Sequence, residues 1–369
     1  MSATVVANPA AAYASGLIED LALRVGPRRP GSPAERQAAA LIQHELIEAG
    51  IDARLESFSG PSSFAWSQGA VPALSLLGLR KTALVAGAIE GDLRLEPISR
   101  LVSRTHSQNV VASIPAGEKE QRTLVLVSHL DSSRSGILFH PEVAPQLRKL
   151  TALISAAVAL RAFRVADRLA GAALVAGLAL LAEREIRGRD VPGANDNASG
   201  VAVATALARE LAGAPLDSTR VVFLATGCEE SGTAGMRAFL EAHRGEWTDW
   251  LFLNLDGVAA PATLRYLPRE GMLRIFDADP GLVRICEETA RDNPELGLRP
   301  AEVLAGLTYD ATQVLARGGR AITLSAQDRT IPNYHSAKDV PENLDGDVLA
   351  RALETTRLVA AAIDGGEAD

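Results

Sequence analysis

From Asn109 to the C-terminus, short apolar runs alternate with stretches of helical spacing, and few folds accommodate that alternation. The runs 110–114, 123–128, 220–225, 250–255 and 320–325 read as strands, with 263–267 as a shorter one. Between and after them, 201–211, 233–243, 280–292, 308–316 and 347–363 read as helices. Strands apolar on both faces must be covered on both, and strands joined through helices run parallel. The pattern therefore predicts an α/β fold, a three-layer sandwich around a mixed, mostly parallel sheet. Ligands in such sheets sit beyond the carboxyl ends of the strands. There the sequence places His129, the pair Glu229-Glu230 and Asp256.

Upstream, 13–25 and 33–49 read as helices around a Pro/Gly-rich entry loop at 26–33, and 51–58 alternates as a strand. The stretch 60–107 has no clear period and reads as an irregular apolar insertion, with Arg80-Lys81 interrupting it. With 47% hydrophobic residues the chain can bury one large core, so 1–369 is read as a single domain. A net charge of -8 without a basic, aromatic-laced stripe excludes a nucleic-acid partner. Two cysteines, Cys228 and Cys286, make no disulfide framework, the N-terminal segment lacks a leader pattern, and no uncharged run has spanning length. A cytoplasmic location is the expectation, with membrane association as the alternative.

Around Asp196 the chain reads Gly193-Ala-Asn-Asp196-Asn-Ala-Ser-Gly200, a Gly/Asn-rich turn running straight into a helix of small residues. Alone it is as readily a capped turn as a functional one. Glu229-Glu230 alone is an ordinary acidic loop, Asp256 a turn cap, Tyr334 a packing residue. Together with His129, Asp131 and His335 they form a set of imidazoles and carboxylates. Those are donors that a divalent metal of borderline softness accepts, zinc above all. Five candidate ligands exceed what one catalytic zinc needs. They suit two ions if one carboxylate bridges them and a water is shared as nucleophile.

In this order His129-Leu-Asp131, Asp196-Asn-Ala-Ser-Gly200, Glu229-Glu230-Ser-Gly232, Asp256 and Tyr334-His335 resemble the motif set of family 28 of the metallopeptidases, the dizinc aminopeptidase-like family. Its other members include glutamate carboxypeptidases, glutaminyl cyclases and the inactive transferrin-receptor ectodomain. Arg29-Pro-Gly31-Ser32, Ser107-Gln-Asn-Val-Val111, Tyr309-Asp310 and Gly318-Gly319 extend the likeness over most of the chain. The resemblance implies two Zn2+ per chain, with Asp196 bridging, His129 and Asp256 on one ion, and Glu230 and His335 on the other. It implies Glu229 as general base, Asp131 as the partner orienting His129, and Tyr334 as donor to the oxyanion. The implied activity is an exopeptidase, most readily an aminopeptidase acting on peptides. A carboxypeptidase, another amide hydrolase or a cyclase on the same site is the alternative within enzymes, and a catalytically silent membrane-associated scaffold the alternative outside them.

The residues left over receive structural readings: His44, His106, His140 and His243 off the site, Cys228 as a small buried residue, Asp310 as an N-cap. The chain departs from the family between its His129 and Asp196 motifs. There 133–192 reads as two apolar helices joined by a charged bend containing Arg161, Arg164, Asp167 and Arg168. Each run is short for a membrane span. Three roles are open to this hairpin: a lid packed on 71–88 and the core, a dimer surface, or peripheral membrane contact.

Overall fold

A computed structural model describes residues 9–102, 104–301 and 307–368; the first eight residues of the N-terminal segment searched for a leader lie outside them. The strands in chain order are β1 (Ala53–Pro61), β2 (Arg104–Ile114), β3 (Arg122–His129), β4 (Thr219–Thr226), β5 (Leu251–Leu255), β6 (Leu264–Leu267), β7 (Arg269–Glu270), β8 (Phe276–Asp277), β9 (Arg299–Pro300) and β10 (Arg320–Ala326). The helices are α1 (Pro9–Glu19), α2 (Pro33–Glu48), α3 (Phe64–Leu76), α4 (Arg80–Glu90), α5 (Pro97–Leu101), α6 (Leu147–Ala162), α7 (Asp167–Arg187), α8 (Gly200–Gly213), α9 (Ala234–Ala242), α10 (Pro280–Asp292), α11 (Asp310–Ala316) and α12 (Gly346–Asp364).

Eight strands form one sheet in the order β1-β2-β4-β3-β5-β10-β6-β9, and β7 pairs with β8 apart from it. The centre is parallel (β4 with β3, β3 with β5, β5 with β10), whereas β1, β2 and β6 join antiparallel. Successive residues of a strand face opposite ways. On β3, Leu124 and Leu126 enter the core built with α1, α2, α8, α10 and α12, while Val125 and Val127 enter the one built with α9 and α11. On β4 the same division separates Val221 and Phe223 from Val222 and Leu224. The expected three layers result.

The stretch 60–107 differs from its expected irregular form. It is largely helical, as α3, α4 and α5, and β2 begins at Arg104. A helix that is apolar almost all round shows no amphipathic period, and Pro72 inside α3 breaks the pattern further. Of these, α3 and α4 pack on the hairpin α6–α7, where Ala83, Ala157, Val158, Ala170 and Leu174 form a separate small core with Val71 and Leu74 of α3 against it. Alanines at that contact let the backbones approach closely. The insertion leaves and re-enters the body through a neck. There Arg134 and Asp190 form an isolated antiparallel bridge, closed by an ion pair of 3.1 Å between Nε and Oδ1.

Candidate metal centre

Strand ends and turns converge at the carboxyl edge of the sheet. His129 ends β3, Glu229 and Glu230 lie in the turn after β4, and Asp256 follows β5. The turn Ala194–Ser199 ahead of α8 supplies Asp196, and the loop after β10 supplies His335. All five expected ligands are brought together and buried.

They form two triads, His129–Asp196–Asp256 and Asp196–Glu230–His335, each with donor atoms within 4.8 Å of one another. Asp196 belongs to both, and its oxygens are divided between them. Oδ1 lies 3.2 Å from His129 Nε2, and Oδ2 lies 3.1 Å from His335 Nε2. Glu230 Oε1 is 3.1 Å from the same His335 nitrogen, and Asp256 Oδ2 is 3.6 Å from His129 Nε2.

So much buried carboxylate demands positive charge. Burial raises the Asp256 and Glu229 carboxyls well above their ordinary range; His129 opposes the rise and neighbouring acids add to it. Burial alone would depress the imidazoles. Yet Glu230 and Asp196 hold His335 up at about 9, and Asp131, Asp196 and Asp256 hold His129 well above its ordinary value. Asp196, between the two imidazoles, titrates below its ordinary value despite burial. Without metal, imidazolium protons supply the missing cation. A divalent ion in each triad answers the same demand, and nitrogen–oxygen donor sets of this kind fit zinc.

A family model described as peptidase family M28 matches residues 109–360. The chain belongs to this family. No curated protein sequence gives a significant match. Among solved structures, a zinc aminopeptidase from Bacillus subtilis aligns over 96% of this chain and 94% of its own, at 16% identity and a TM-score of 0.60. A Zn-dependent exopeptidase from Parabacteroides distasonis aligns over 96% and 97%, at 15% identity and a TM-score of 0.61. Tannerella forsythia glutaminyl cyclase aligns over 95% and 98%, at 16% identity and a TM-score of 0.60. At such identities the likeness is one of fold.

In this M28 chain the residues flanking Asp196 act as a clamp. Asn197 Nδ2 donates to Leu255 O at 2.8 Å, and its Oδ1 accepts from Gly200 N and Gly257 N at 3.0 and 3.1 Å. Ser199 Oγ accepts from Val258 N, and Asn195 Oδ1 from Ala259 N, both at 2.9 Å. The turn carrying Asp196 is thereby tied to the end of β5 that carries Asp256. Gly193 has φ +63°, and a Cβ there would lie 2.4 Å from Asp196 O. A Cβ on Gly200 would lie 2.2 Å from Leu255 O. Only glycine fits either place. The Asp196–Asn197 peptide bond is cis.

Asp131 is buried behind this layer. Its carbonyl accepts from His129 Nδ1 at 3.1 Å, turning Nε2 toward the triad, whereas its carboxylate is 3.6 Å away. The carboxylate instead accepts the amides of Glu229 and Glu230 at 3.0 and 2.9 Å, fixing both glutamates at once. Tyr334 stacks on His335 at 3.8 Å between centroids, and Phe139 from the insertion meets that imidazole edge-on at 4.2 Å. Ser133 Oγ, 2.9 Å from His335 Nδ1, accepts from the buried Arg184 of α7 at 3.3 Å.

Several supporting residues were not singled out from the sequence. Arg28, fully buried, donates to Leu21 O, Gly26 O, Leu130 O, Pro192 O and Gly193 O at 2.7–3.1 Å. It joins the entry loop to the turns around Asp131 and Asp196, whereas Arg29, which carries the family resemblance, is exposed. Asp339 accepts the amides of Asn195 and Asp196 at 2.7 and 3.1 Å. Glu35 accepts from Gly31 N, Ser107 Oγ and Cys228 N, and burial pushes it up to about 8. Tyr309, quoted above only as part of the family likeness, holds a buried hydroxyl with no hydrogen-bond partner among the described residues, in the field of Asp256, Asp196 and Glu229.

Asp310 is not the expected N-cap. Tyr309 occupies that position, and Asp310, the first residue of α11, accepts a hydrogen bond from Thr226 at the end of β4. Cys228 is buried, and burial raises its thiol well above its ordinary value. His140 is exposed in the loop before α6.

Proposed function

We propose that the protein is a dizinc aminopeptidase that releases N-terminal residues from peptides. The observation that carries this reading is the division of Asp196 between two complete triads. Asp196 would bridge two ions, with His129 and Asp256 holding one, and Glu230 and His335 the other. Two such ions would supply Lewis acidity for polarising a scissile carbonyl and for activating a water. Glu229, clamped through its amide by Asp131, takes the proton of the attacking water and returns it to the leaving amine. Asp131 keeps His129 in the tautomer whose Nε2 faces Asp196. Tyr334, stacked on His335, donates to the developing oxyanion.

The glutaminyl cyclase among the similar folds makes a cyclase the second reading of this site. Two triads favour two ions over one. The deciding experiment measures bound metal per chain and screens aminoacyl chromogenic substrates, N-blocked peptides and N-terminal glutaminyl peptides with and without chelator. Chelator-sensitive cleavage of free-amine substrates with about two zinc ions per chain supports the aminopeptidase. Cyclisation of glutaminyl peptides without cleavage, or cleavage of N-blocked peptides from the carboxyl end, rejects it.

Phe139 and Arg184 bring the insertion to the edge of the centre, so we assign it a part in limiting which peptides enter. Phe139→Ala should shift the ratio of kcat/KM between tripeptides and decapeptides; an unchanged ratio removes that role. A cytoplasmic location agrees with the two free, buried cysteines. Fractionation of the cells that make the protein tests it.

A further inference from the structure

The base of the hairpin α6–α7 serves the metal centre, and its opposite end, packed beside α3 and α4, carries a different surface. There the α3–α4 turn meets the α6–α7 bend. Arg80 Nη2 lies 3.1 Å from Asp167 Oδ2, and Arg161 donates to Asp167 O at 3.0 Å and Ser75 O at 3.4 Å. The two turns, distant in sequence, form one tip. Outside that frame Leu77, Phe163 and Leu169 are 79%, 72% and 75% exposed, with Leu79 and Val165 exposed beside them. The segments 75–81 and 161–169 hold five cations, Arg80, Lys81, Arg161, Arg164 and Arg168, against the single carboxylate of Asp167. Lys81, Arg164 and Arg168 face solvent.

This local excess of positive charge sits on a chain whose net charge is -8. Large apolar side chains clustered on a surface mark a contact, and its rim of cations says with what. A second copy meeting this tip face to face would set cation against cation. Anionic lipid fits both features: apolar groups enter the boundary between headgroups and acyl chains, and lysine and arginine meet the phosphates. The outer face of α4 continues the apolar surface through Val85 and Ile89, along a shallow groove of about 470 Å³ that begins at Lys81. Among the described residues no helix is long and apolar enough to cross a membrane, so the contact is peripheral.

We propose that this tip docks the protein on an anionic membrane surface, with Leu77, Phe163 and Leu169 inserted and Lys81, Arg164 and Arg168 on lipid phosphates. At about 1.5 Å of rise per residue, α7 places Arg184 roughly 25 Å from Asp167. The metal centre therefore stands clear of the lipid. Docking does not depend on which reaction the centre performs.

The test is cosedimentation of the full-length protein with vesicles of phosphatidylcholine alone and of phosphatidylcholine mixed with phosphatidylglycerol, at low and high salt. Binding is expected to the mixed vesicles only, and salt should release it. The triple variant Leu77→Asp, Phe163→Asp, Leu169→Asp should lose binding. Arg164→Gln with Arg168→Gln should weaken it by at least about tenfold, as expected for two cations removed from an anionic surface. Melting temperature and zinc content should match the wild type for both, since these side chains face outward. Failure to bind mixed vesicles overturns the proposal, as does equal binding to pure phosphatidylcholine. So does binding that both variants retain, or a dimer in sedimentation equilibrium that the Asp substitutions disperse.

Discussion

Replacing Arg28 with methionine tests whether the metal centre is held from the entry loop. The guanidinium is buried, and burial pushes its pKa down to about 10, which leaves it charged at neutral pH. Arg28→Met keeps much of the volume but orphans the carbonyls of Gly26, Leu130 and Pro192, and it removes a second donor from Leu21 O and Gly193 O, which keep the amides of Gly26 and Ala198. Each orphaned acceptor costs about 1 kcal/mol or more, and the desolvation of the cation is recovered in part, so a net loss of about 3–5 kcal/mol is expected. At about 2 °C per kcal/mol for a chain of this size, the apo melting temperature should fall by about 6–10 °C. Two of the lost bonds end at Pro192 and Gly193 and one at Leu130, so zinc affinity should fall as well. Arg28→Lys separates charge from shape: one ammonium cannot reach carbonyls spread around a planar fork, so it should recover only a minor part of either loss. The assays are calorimetric melting with and without zinc, and zinc competition against a chromogenic chelator. A methionine variant with wild-type melting temperature and zinc affinity would refute the assignment of Arg28 as the tie between these turns.

Other predictions concern single groups. Glu229→Gln should keep both metals while lowering kcat by at least about a hundredfold; full activity in a metal-loaded variant would end its role as proton acceptor. Asp339→Asn can accept only one of the Asn195 and Asp196 amides, so zinc affinity should drop about 10–100-fold in a chelator competition. Glu270, buried and bonded by Thr312 and Thr323, is pushed up to about 7 by burial. The folded state then holds a proton that the unfolded chain has released, so stability should fall as pH rises from about 4.5 to 7, by up to about 3 kcal/mol. Urea unfolding across that window should show a shallower decline for Glu270→Gln, and identical slopes would contradict it.

The ligands were legible because each lies where an apolar strand or a glycine-rich turn stops, and strand ends can be read from sequence. Their supports were not legible, because their signal is burial. Arg28 stands in a Pro/Gly loop where an arginine is ordinarily solvated, next to an Arg29 that is. Asp339 looks like one more loop acid. The family likeness makes Asp131 a partner for His129 alone, yet its carboxylate serves the Glu229–Glu230 turn, a contact between segments far apart in the chain. The helices within 60–107 are not legible because apolar residues run almost all round α3 and Pro72 interrupts it, so no helical period shows. Asp310 looks like a cap in the sequence because α11 begins there, one residue after the cap itself.

Because the insertion leaves and re-enters through the bridge at Arg134 and Asp190, its length is hidden from the centre. In an unfolded chain, bringing His129 to Asp196 means closing a long loop, whose entropic cost grows only with the logarithm of its length, about 0.6 kcal/mol per doubling. Once the bridge pairs, that cost has been met, and His129 and Asp196 experience a short connection whatever hangs beyond it. The neck makes the helical appendage an exchangeable part. Its tip can gain, lose or change the surface it adheres to by substitutions that the metal ligands never register.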